Sequence, residues 1–305
     1  MIQVTKRNGD KETLDVEKLH KVVFFACNDI TGVSPSEVEI KSQIQFFNGM
    51  KTSEIQETLI KAAADLISEE TPNYQYVGGR LINYALRKEV YNGYAPCHVK
   101  ELVERNIEAG FYDPELITKY SDEEWDKINN FIKHERDENL TYVAMEQLRG
   151  KYLCQNRVTG EIFETPQMCY ILIAATLFAD YPVETRLTWV KDYYDAISLH
   201  DISLPTPVMA GVRTPQRQFS SCVLIETDDS LDSINATTSS VVKYVSQKAG
   251  IGIGGGSIRA IGSPIRKGDA YHTGIIPFYK MFQAATKSCS QGGVRGGAAT
   301  IYYPI

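Results

Sequence analysis

The residues best suited to bind an anion lie in a glycine-rich segment near the end of the chain, residues 288–303. Its sequence is SCSQGGVRGGAATIYY, which places four glycines, Gln291 and Arg295 ahead of an apolar tail. Glycines this dense let a backbone approach another molecule closely. The guanidinium of Arg295 is always charged, and its flat fork of donors suits a phosphate or the edge of a base. The alternative is a glycine loop with a solvated arginine.

A second region with anion-binding character lies upstream, where Arg259 and Arg266 flank Gly262-Ser263-Pro264. Two arginines on one loop can hold a polyphosphate from both sides, because each forms charge-assisted hydrogen bonds. The alternative is a pair of surface arginines that bind acidic side chains. Asp229 precedes a helical pattern, so a helix cap is its first expected role, although its carboxylate also suits a ribose hydroxyl.

Cys222 lies in the middle of a predicted strand, residues 219–226, with the sequence FSSCVLIE. A free cysteine in a strand is most often an inert buried side chain. The preceding Ser220 and Ser221 favour a polar lining instead. The six cysteines of the chain are far apart and include no CxxC or Cys/His cluster, which argues against a structural zinc.

Gly250, Gly252 and Gly255 match the dinucleotide-binding pattern GxGxxG. That motif must follow a strand and open a helix. Here a predicted helix precedes the glycines and an irregular segment follows them, so we reject a dinucleotide-binding fold.

Composition restricts the classes of protein to which the chain can belong. Its 305 residues are 43% hydrophobic and 23% charged, with a net charge of −6. An acidic balance argues against a general nucleic-acid binder. The sequence contains no stretch of eighteen apolar residues, and the first residues lack the apolar core of a signal peptide. We therefore expect a cytoplasmic protein with no membrane span, no nucleic-acid partner and no metal.

Residues 1–95 are predicted to form a compact unit of one hairpin and several helices. Extended runs at 2–7 and 11–14 flank Asn8-Gly9, a strong hairpin signal. Asp15 is expected to cap the first helix, and Thr52 or Ser53 the third. The helices are predicted from Asp15 to about Ile30, from near Ser36, from Thr52 to Ser68, and from Pro72 to about Tyr91.

Residues 96–200 are predicted to be mostly helical, with no visible catalytic constellation. A turn at Val158-Thr159-Gly160 is expected to join two short strands. The helices are predicted at 97–110, 122–134, 139–149, 166–179 and 183–199.

From about residue 200, strands and helices alternate, which favours parallel β/α architecture. The predicted elements are an extended piece at 202–206, the strand at 219–226, a helix capped by Asp229 or Ser230 that runs to about Ala249, a glycine run at 250–256, a helix at about 274–288 and a strand at 298–303.

Several long motifs of the chain are similar to those of a known protein family. In the last third of the chain they are RQFSSCVLIE, DSLDSINAT, VKYVSQKAGIGI, IRAIGSPIRKGDAYHTG and KSCSQGGVRGGAAT. Earlier ones are VTKRNG, KTSEIQETLIKAAADLIS and GKYLCQNRVTGEIFE. Together they closely resemble the large subunit of class I ribonucleoside-diphosphate reductase over the whole chain.

The resemblance implies an α/β fold in three parts. Residues 1–95 would form a helical ATP-cone regulatory domain, 96–218 a mostly helical N-terminal region, and 219–305 the first strands of a ten-stranded α/β barrel with its effector loops. Large subunits of this family are much longer, so the chain looks like their N-terminal part. A phage-type or bacterial subunit split into two polypeptides is preferred, and a truncated chain is the alternative.

The resemblance also implies roles for particular residues. Cys222 falls on the redox cysteine that reduces the ribose 2′ position, with its disulfide partner in the missing part. Substrate diphosphate or ribose would be contacted by Thr206, Ser221 and Gly250. The specificity-effector site would include Asp229, Ser230, Leu231, Ser246, Arg259, Ile265 and Arg266, and the loop around Gln291 and Arg295 would relay effector identity to the substrate base. The ATP site of the cone would include Lys6, the segment from Glu12 to Lys18, Thr52 and Lys88.

Implied partners are the C-terminal part of the large subunit, a second large subunit, and a small subunit that supplies a di-iron tyrosyl radical. ATP and deoxynucleoside triphosphates would act as effectors, and thioredoxin or glutaredoxin as reductant. The chain departs from well-known members at Gln56 and Ala85, where they carry histidines, which puts inhibition by dATP in doubt. Gly254–Ser257 also replaces a more polar segment. The other reading is a non-catalytic nucleotide-sensing module, which would not need Cys222, Thr206 or Ser221.

Overall fold

The computed structural model describes residues 2–6, 9–43, 45–289 and 296–304. The chain divides into two compact units. The first contains the residues up to Leu204 together with Val212–Pro215, and the second contains Pro205–Gly211 together with the residues from Gln216 onward. In the described part of the chain, no helix is both long and apolar enough to cross a membrane.

The first unit opens with an antiparallel pair of strands, β1 (Gln3–Thr5) and β2 (Lys11–Thr13). The predicted hairpin is confirmed in its strands, while Asn8 lies outside the described residues. Helix α1 (Val16–Cys27) follows, and the carboxylate of Asp15 accepts hydrogen bonds from the first amides of this helix, as its cap role predicted.

Three further helices complete the N-terminal part: α2 (Pro35–Gln43), α3 (Thr52–Ala64) and α4 (Tyr74–Tyr91). The predicted cap of α3 is wrong by one residue. Lys51 is the residue before the helix, and its amide donates to the carboxylate of Glu54 at 2.8 Å. Because the reciprocal carboxylate satisfies this amide, the helix starts without a hydroxyl cap at Thr52 or Ser53.

The middle of the chain is helical, as predicted. Its elements are α5 (Val99–Glu108), α6 (Glu115–Thr118), α7 (Asp122–Phe131), a 3₁₀ helix (His134–Asn139), α8 (Tyr142–Gln147) with a π turn (Leu148–Tyr152), α9 (Pro166–Leu177) and α10 (Val183–Ser198). Helix α9 is buried from Pro166 to Ala175, because it is apolar on all sides. The two short strands expected around residue 159 reduce, in the described residues, to a single bridge between Gln155 and Ile162.

The second unit is a three-stranded parallel sheet packed against two helices. Its elements are α11 (Thr206–Gly211), β3 (Cys222–Glu226), α12 (Leu231–Ser246), β4 (Gly250–Gly254), β5 (Pro264–Ile265), a short 3₁₀ turn (Arg266–Gly268), β6 (Ala270–Tyr271), α13 (Ile276–Cys289) and β7 (Ala299–Tyr302). The sheet order is β3-β4-β7, with Cys222 opposite Gly250 and Ile251 opposite Ala299. This confirms the predicted parallel β/α architecture.

Two predictions in this unit are wrong. Thr206 begins helix α11 instead of ending an extended piece. The glycine run forms the central strand β4, because one face of the strand carries Ile251 and Ile253 into the core. On the other face, a Cβ on Gly252 would lie 2.5 Å from Leu224 Cδ2, so the missing side chain leaves room for the neighbouring strand's leucine.

Strand β7 forms where residues 298–303 predicted a barrel strand. In the described part of the chain it is hydrogen-bonded on one side, to β4. Ala299, Thr300 and Tyr302 of this strand are exposed in this chain. An apolar strand with an open edge is suited to pair with a further strand.

Candidate nucleotide and redox sites

The first candidate site is a cavity of about 830 Å³ in the first unit, bounded by β1, β2, α1, α3 and α4. The structure brings to its lining Lys6, Thr52, Lys88 and both ends of the predicted segment, Glu12 and Lys18. They come from five separate elements or their flanks, so only the tertiary fold assembles them.

The polar lining of this cavity includes four lysines and two carboxylates, those of Glu12 and Asp15. Lys6 Nζ lies 2.6 Å from Glu12 Oε2, and the hydrogen bond to this carboxylate raises the pKa of Lys6. Lys88 Nζ lies 4.5 Å from the centre of the Tyr84 ring, a cation–π distance. Lys21 also lines the cavity. Several ammonium groups around one cavity favour a polyanion such as a triphosphate.

The remaining lining is apolar or aromatic, which suits a nucleoside base. It includes Phe25 from α1, Ile55 from α3 and Tyr84 from α4. Sequence reasoning missed Tyr84, although its position four residues before Lys88 places both on one face of α4. The two positions that depart from known family members, Gln56 and Ala85, also line this cavity, and Gln56 Nε2 donates to the Leu81 carbonyl at 3.1 Å.

The second candidate site lies in the second unit, where α12 begins. Ser230 is the cap of this helix, and its hydroxyl accepts from the Ser233 amide at 3.1 Å. Asp229 is not the cap, because its carboxylate binds Arg259 instead. Oδ1 accepts from the Arg259 amide at 3.0 Å and Oδ2 accepts from Nε at 2.6 Å. The backbone hydrogen bond from Arg259 contributes most to lowering the pKa of Asp229.

The two predicted effector arginines differ in how firmly they are held. Arg259 Nη1 also donates to the Pro264 carbonyl at 3.1 Å, so this side chain bridges both sides of its loop. Arg266 follows Ile265 of β5, has a left-handed backbone with φ of 46°, and is 81% exposed in its side chain. Its nearest ion-pair partner is Asp269, at 3.7 Å. Arg266 is therefore available to a ligand.

Not all predicted effector residues meet within this chain. Leu231, which is exposed, and Ser246 are the first and last residues of α12. A helix of this length separates its ends by about 22 Å. Ser246 is therefore remote from Asp229 in the same chain. Gln291 and Arg295 lie outside the described residues.

The third candidate site is the exposed face of the parallel sheet. Cys222 is the first residue of β3, not a mid-strand residue, and among the six cysteines, all in described segments, it is the exposed one. Its Sγ lies 3.9 Å from Ser221 Oγ, and the Gly250 amide donates to the Ser221 carbonyl at 2.9 Å. Ser221, Cys222 and Gly250 are thus adjacent, and Thr206 begins α11 in the same unit.

None of the six cysteines, all in described segments, forms a disulfide, so Cys222 and Cys289 are not linked to each other. In the described residues, no three His, Cys, Asp or Glu side chains are grouped so as to hold a metal ion. The Cys222 thiol is exposed at the start of its strand, next to the Ser221 hydroxyl and opposite Gly250 of the paired strand. It therefore has the solvent access that redox chemistry requires.

Comparisons with known proteins extend this picture. A family model described as the ATP cone domain matches residues 2–89, one for the ribonucleotide reductase all-alpha domain matches 138–217, and one for the ribonucleotide reductase barrel domain matches 220–305. The last two together cover more than half of the chain. The three models therefore match the chain in the order ATP cone, all-alpha domain, barrel domain.

Curated relatives agree with these matches. Ribonucleoside-diphosphate reductase alpha subunits from Haemophilus influenzae and Escherichia coli are each 59% identical, and that of Enterobacteria phage T4 is 51% identical. Each comparison covers 99% or more of this chain but 40% of the relative, so the chain spans well under half of their length. The chain belongs to the ribonucleotide reductase large-subunit family and corresponds to its N-terminal region. The incomplete-barrel fold is thereby confirmed.

Proposed function

We propose that this chain is the N-terminal part of a large subunit that reduces ribonucleoside diphosphates to deoxyribonucleoside diphosphates, and that it is inactive without the remaining part. The observation that carries the proposal is the exposed Cys222 at the head of β3, adjacent to Ser221 and Gly250. A thiol at this position has no structural role in the core, because its strand places it on the open face of the sheet.

In this proposal Cys222 is the redox residue, and Thr206, Ser221 and Gly250 contact the substrate diphosphate or ribose. Two thiols lose two electrons and two protons per turnover and become a disulfide, while the 2′ hydroxyl leaves as water and hydrogen replaces it. The second thiol belongs to the C-terminal part of the subunit. A dithiol protein such as thioredoxin or glutaredoxin then reduces the disulfide by exchange.

The proposal assigns two regulatory nucleotide sites. The cone cavity would bind ATP or dATP through Lys6, Lys18 and Lys88, and its volume and mixed lining support this assignment. The site around Asp229, Arg259 and Arg266 would bind the specificity effector. Because Ser246 lies at the far end of α12, we propose that a second copy of the chain contributes it, so that binding requires a dimer.

The proposal also assigns partners. They are the C-terminal part of the large subunit and a small subunit whose di-iron tyrosyl radical starts the reaction. The domain limits would be 1–95, 96–218 and 219–305, and the site of action the cytoplasm of a bacterium or of a phage-infected cell. The open edge of β7 supports a barrel partner, because unpaired strand edges favour pairing.

Hydrogen exchange at β7 tests the barrel partner. The register with β4 directs the amides of Thr300 and Tyr302 toward β4 and those of Ala299 and Ile301 toward the open edge. We expect the edge-facing amides to exchange fast in this chain and slowly once the C-terminal part is added. Protection of Ala299 and Ile301 before that addition would contradict the proposal.

Catalysis is tested in the assembled enzyme with Cys222→Ser and, as a matched control in the same unit, Cys289→Ser. We expect Cys222→Ser to bind nucleotides normally and to lose multiple turnover with a dithiol reductant, whereas Cys289→Ser turns over. Sustained turnover by Cys222→Ser would refute the redox role.

A non-catalytic nucleotide sensor is the second candidate function. The observation that favours it is that the cone residues line one cavity, whereas Cys222 lies on an exposed sheet face. A sensor requires no Cys222, so ATP binding without any diphosphate reduction in the assembled complex would select this alternative.

A further inference from the structure

Arg149 forms paired hydrogen bonds with two carboxylates of the first unit. Its Nη1 donates to Glu57 Oε1 at 2.7 Å, and its Nη2 donates to Glu57 Oε2 at 3.0 Å. Nε and Nη2 also donate to the two oxygens of Glu146, at 3.1 and 2.6 Å. Glu146 lies in α8, three residues before Arg149, whereas Glu57 lies in α3, 92 residues away. The contact with Glu57 therefore joins two distant segments, and its paired geometry makes it directional.

The backbone that carries Arg149 is itself held in place. Arg149 lies in the π turn that follows α8. Gln155 Nε2 donates to the Arg149 carbonyl at 2.7 Å, and the guanidinium of Arg157 donates to the next two carbonyls at 2.7 and 3.0 Å. The Arg149 side chain is also only 21% exposed. Because one partner is fixed and the geometry is paired, this ion pair holds Glu57 more firmly than a contact between two mobile surface side chains would.

Glu57 belongs to a helix that forms one wall of the cone cavity. Thr52 and Gln56 of α3 both line this cavity, and Gln56 is the residue directly before Glu57. Gln56 Nε2 donates to the Leu81 carbonyl of α4 at 3.1 Å. Helix α3 is therefore held by α4 through Gln56 and by the π turn through Arg149.

A second wall of the cavity, α4, is fixed to the same middle region by direct packing. A Cβ on Gly79 would lie 1.9 Å from the Leu140 carbonyl oxygen, so the backbone of α4 touches the segment that leads into α8. Lys88, which lines the cavity, lies on this helix. Both walls are thus tied to the region around α8, α4 by its backbone and α3 by the pair of Glu57 and Arg149.

We propose that Glu57 and Arg149 form a positioning pair for the nucleotide cavity of the cone. Both residues belong to the first unit, and in the described residues neither lines the cavity. The pair acts through α3, whose residues Thr52 and Gln56 it holds at a fixed distance from α4. A site with fixed walls binds its ligand more tightly, because less conformational freedom is lost on binding. The inference rests on the proposed function, which assigns this cavity to ATP or dATP.

Calorimetry of ATP binding to the whole chain tests this role in Glu57→Gln. Glu146→Gln is the matched control, because it removes the same kind of carboxylate from the same Arg149 but lies on α8 and not on the cavity wall. Lys88→Ala identifies the contribution of the cone to the measured heat, because Lys88 lines that cavity. The unfolding temperature is measured for every variant.

We expect Glu57→Gln to weaken ATP binding at the cone by about 3- to 30-fold, the range found for residues that act on a site without touching its ligand. Glu146→Gln should lower the unfolding temperature comparably and leave ATP affinity at the wild-type value. Arg149→Lys keeps the charge but not the paired donors, so Glu57→Gln should have a smaller effect on ATP affinity in that background. Wild-type affinity in Glu57→Gln, equal losses in both glutamine variants, or full additivity with Arg149→Lys would overturn the inference.

Arg149→Lys alone serves as the second variant if Glu57→Gln does not fold. It should weaken ATP binding in the same direction, and a wild-type affinity would again overturn the inference. If ATP binding to the wild-type chain contains no component that Lys88→Ala reduces, the proposed cone site and the inference are refuted together. Wild-type binding at the cone with unaffected Glu57 and Arg149 variants refutes the inference only.

Discussion

Replacing Asp137 by Asn should change how stability depends on pH. Asp137 lies in the 3₁₀ helix His134–Asn139 and is 0% exposed. Its Oδ1 accepts from Gln167 Nε2 at 2.8 Å, whereas Oδ2 has no hydrogen-bond partner in the described part of the chain. Burial raises the pKa of this carboxyl to about 7, although the nearby Arg87 opposes the shift.

The sign of the effect follows from the raised pKa. The unfolded chain ionises Asp137 near 3.8, while the folded chain keeps the proton to about 7. Stability is therefore fully present below the unfolded pKa and is lost as pH rises through this window. Each pH unit contributes at most about 1.4 kcal/mol, so the wild type loses up to about 4 kcal/mol between these limits. Asparagine stays neutral and avoids this loss.

Tryptophan fluorescence provides the assay, because both tryptophans, Trp125 and Trp189, lie in the unit that contains Asp137. Urea unfolding at about pH 5 and about pH 8 should show Asp137→Asn gaining stability over the wild type as pH rises. Glu124→Gln is the control. The hydrogen bond from Arg186 lowers the pKa of Glu124, so this carboxylate is ionised in both states above about 4.5, and the difference in stability between Glu124→Gln and the wild type should stay nearly constant from about pH 5 to about pH 8. If the free energy of unfolding changed equally with pH in the wild type and in Asp137→Asn, the reasoning would be refuted.

Three further predictions concern packing and ligand binding. Gly79→Ala should destabilise the first unit by about 1–3 kcal/mol, because its Cβ would lie 1.9 Å from the Leu140 carbonyl oxygen. Gly150→Ala is the control and should not destabilise the unit, because a Cβ there would have nothing within 4 Å. Urea unfolding compares the two variants, and equal free energies of unfolding would contradict this prediction. Lys88→Ala should weaken ATP binding measured by calorimetry, by an amount approaching the roughly 1.5–3 kcal/mol of a charge-assisted hydrogen bond. Arg266→Ala should weaken effector binding to the dimer for the same reason, and wild-type affinity in that variant would remove Arg266 from the site.

Much of the local structure was predictable because its causes are local. The helices, the Asp15 cap and the strands around residue 8 follow from spacing of apolar residues, capping groups and turn chemistry within a few positions. The motifs also predicted the cone residues, and the structure brings Lys6, Thr52 and Lys88 to one cavity. Their roles as nucleotide ligands stay predictions.

What the sequence did not reveal depends on neighbours distant along the chain. Gly250–Gly254 is a strand because β3 and β7 flank it and because Leu224 needs the space that glycine leaves. Asp229 accepts a hydrogen bond from Arg259, thirty residues away. Its carboxylate therefore forms a charge-assisted hydrogen bond, which is stronger than the bond to a backbone amide that a helix cap would form.

By itself, the sequence determined the helical periodicity, the Asp15 cap and the family, because each depends on residues close together or on long motifs. Only the tertiary structure decided which polar groups are buried. Glu164 and Arg213 are ordinary charged residues in the sequence, 49 positions apart, yet they form a fully buried pair. Burial depends on everything that packs around a side chain, and a buried charge persists only where distant segments supply its partners.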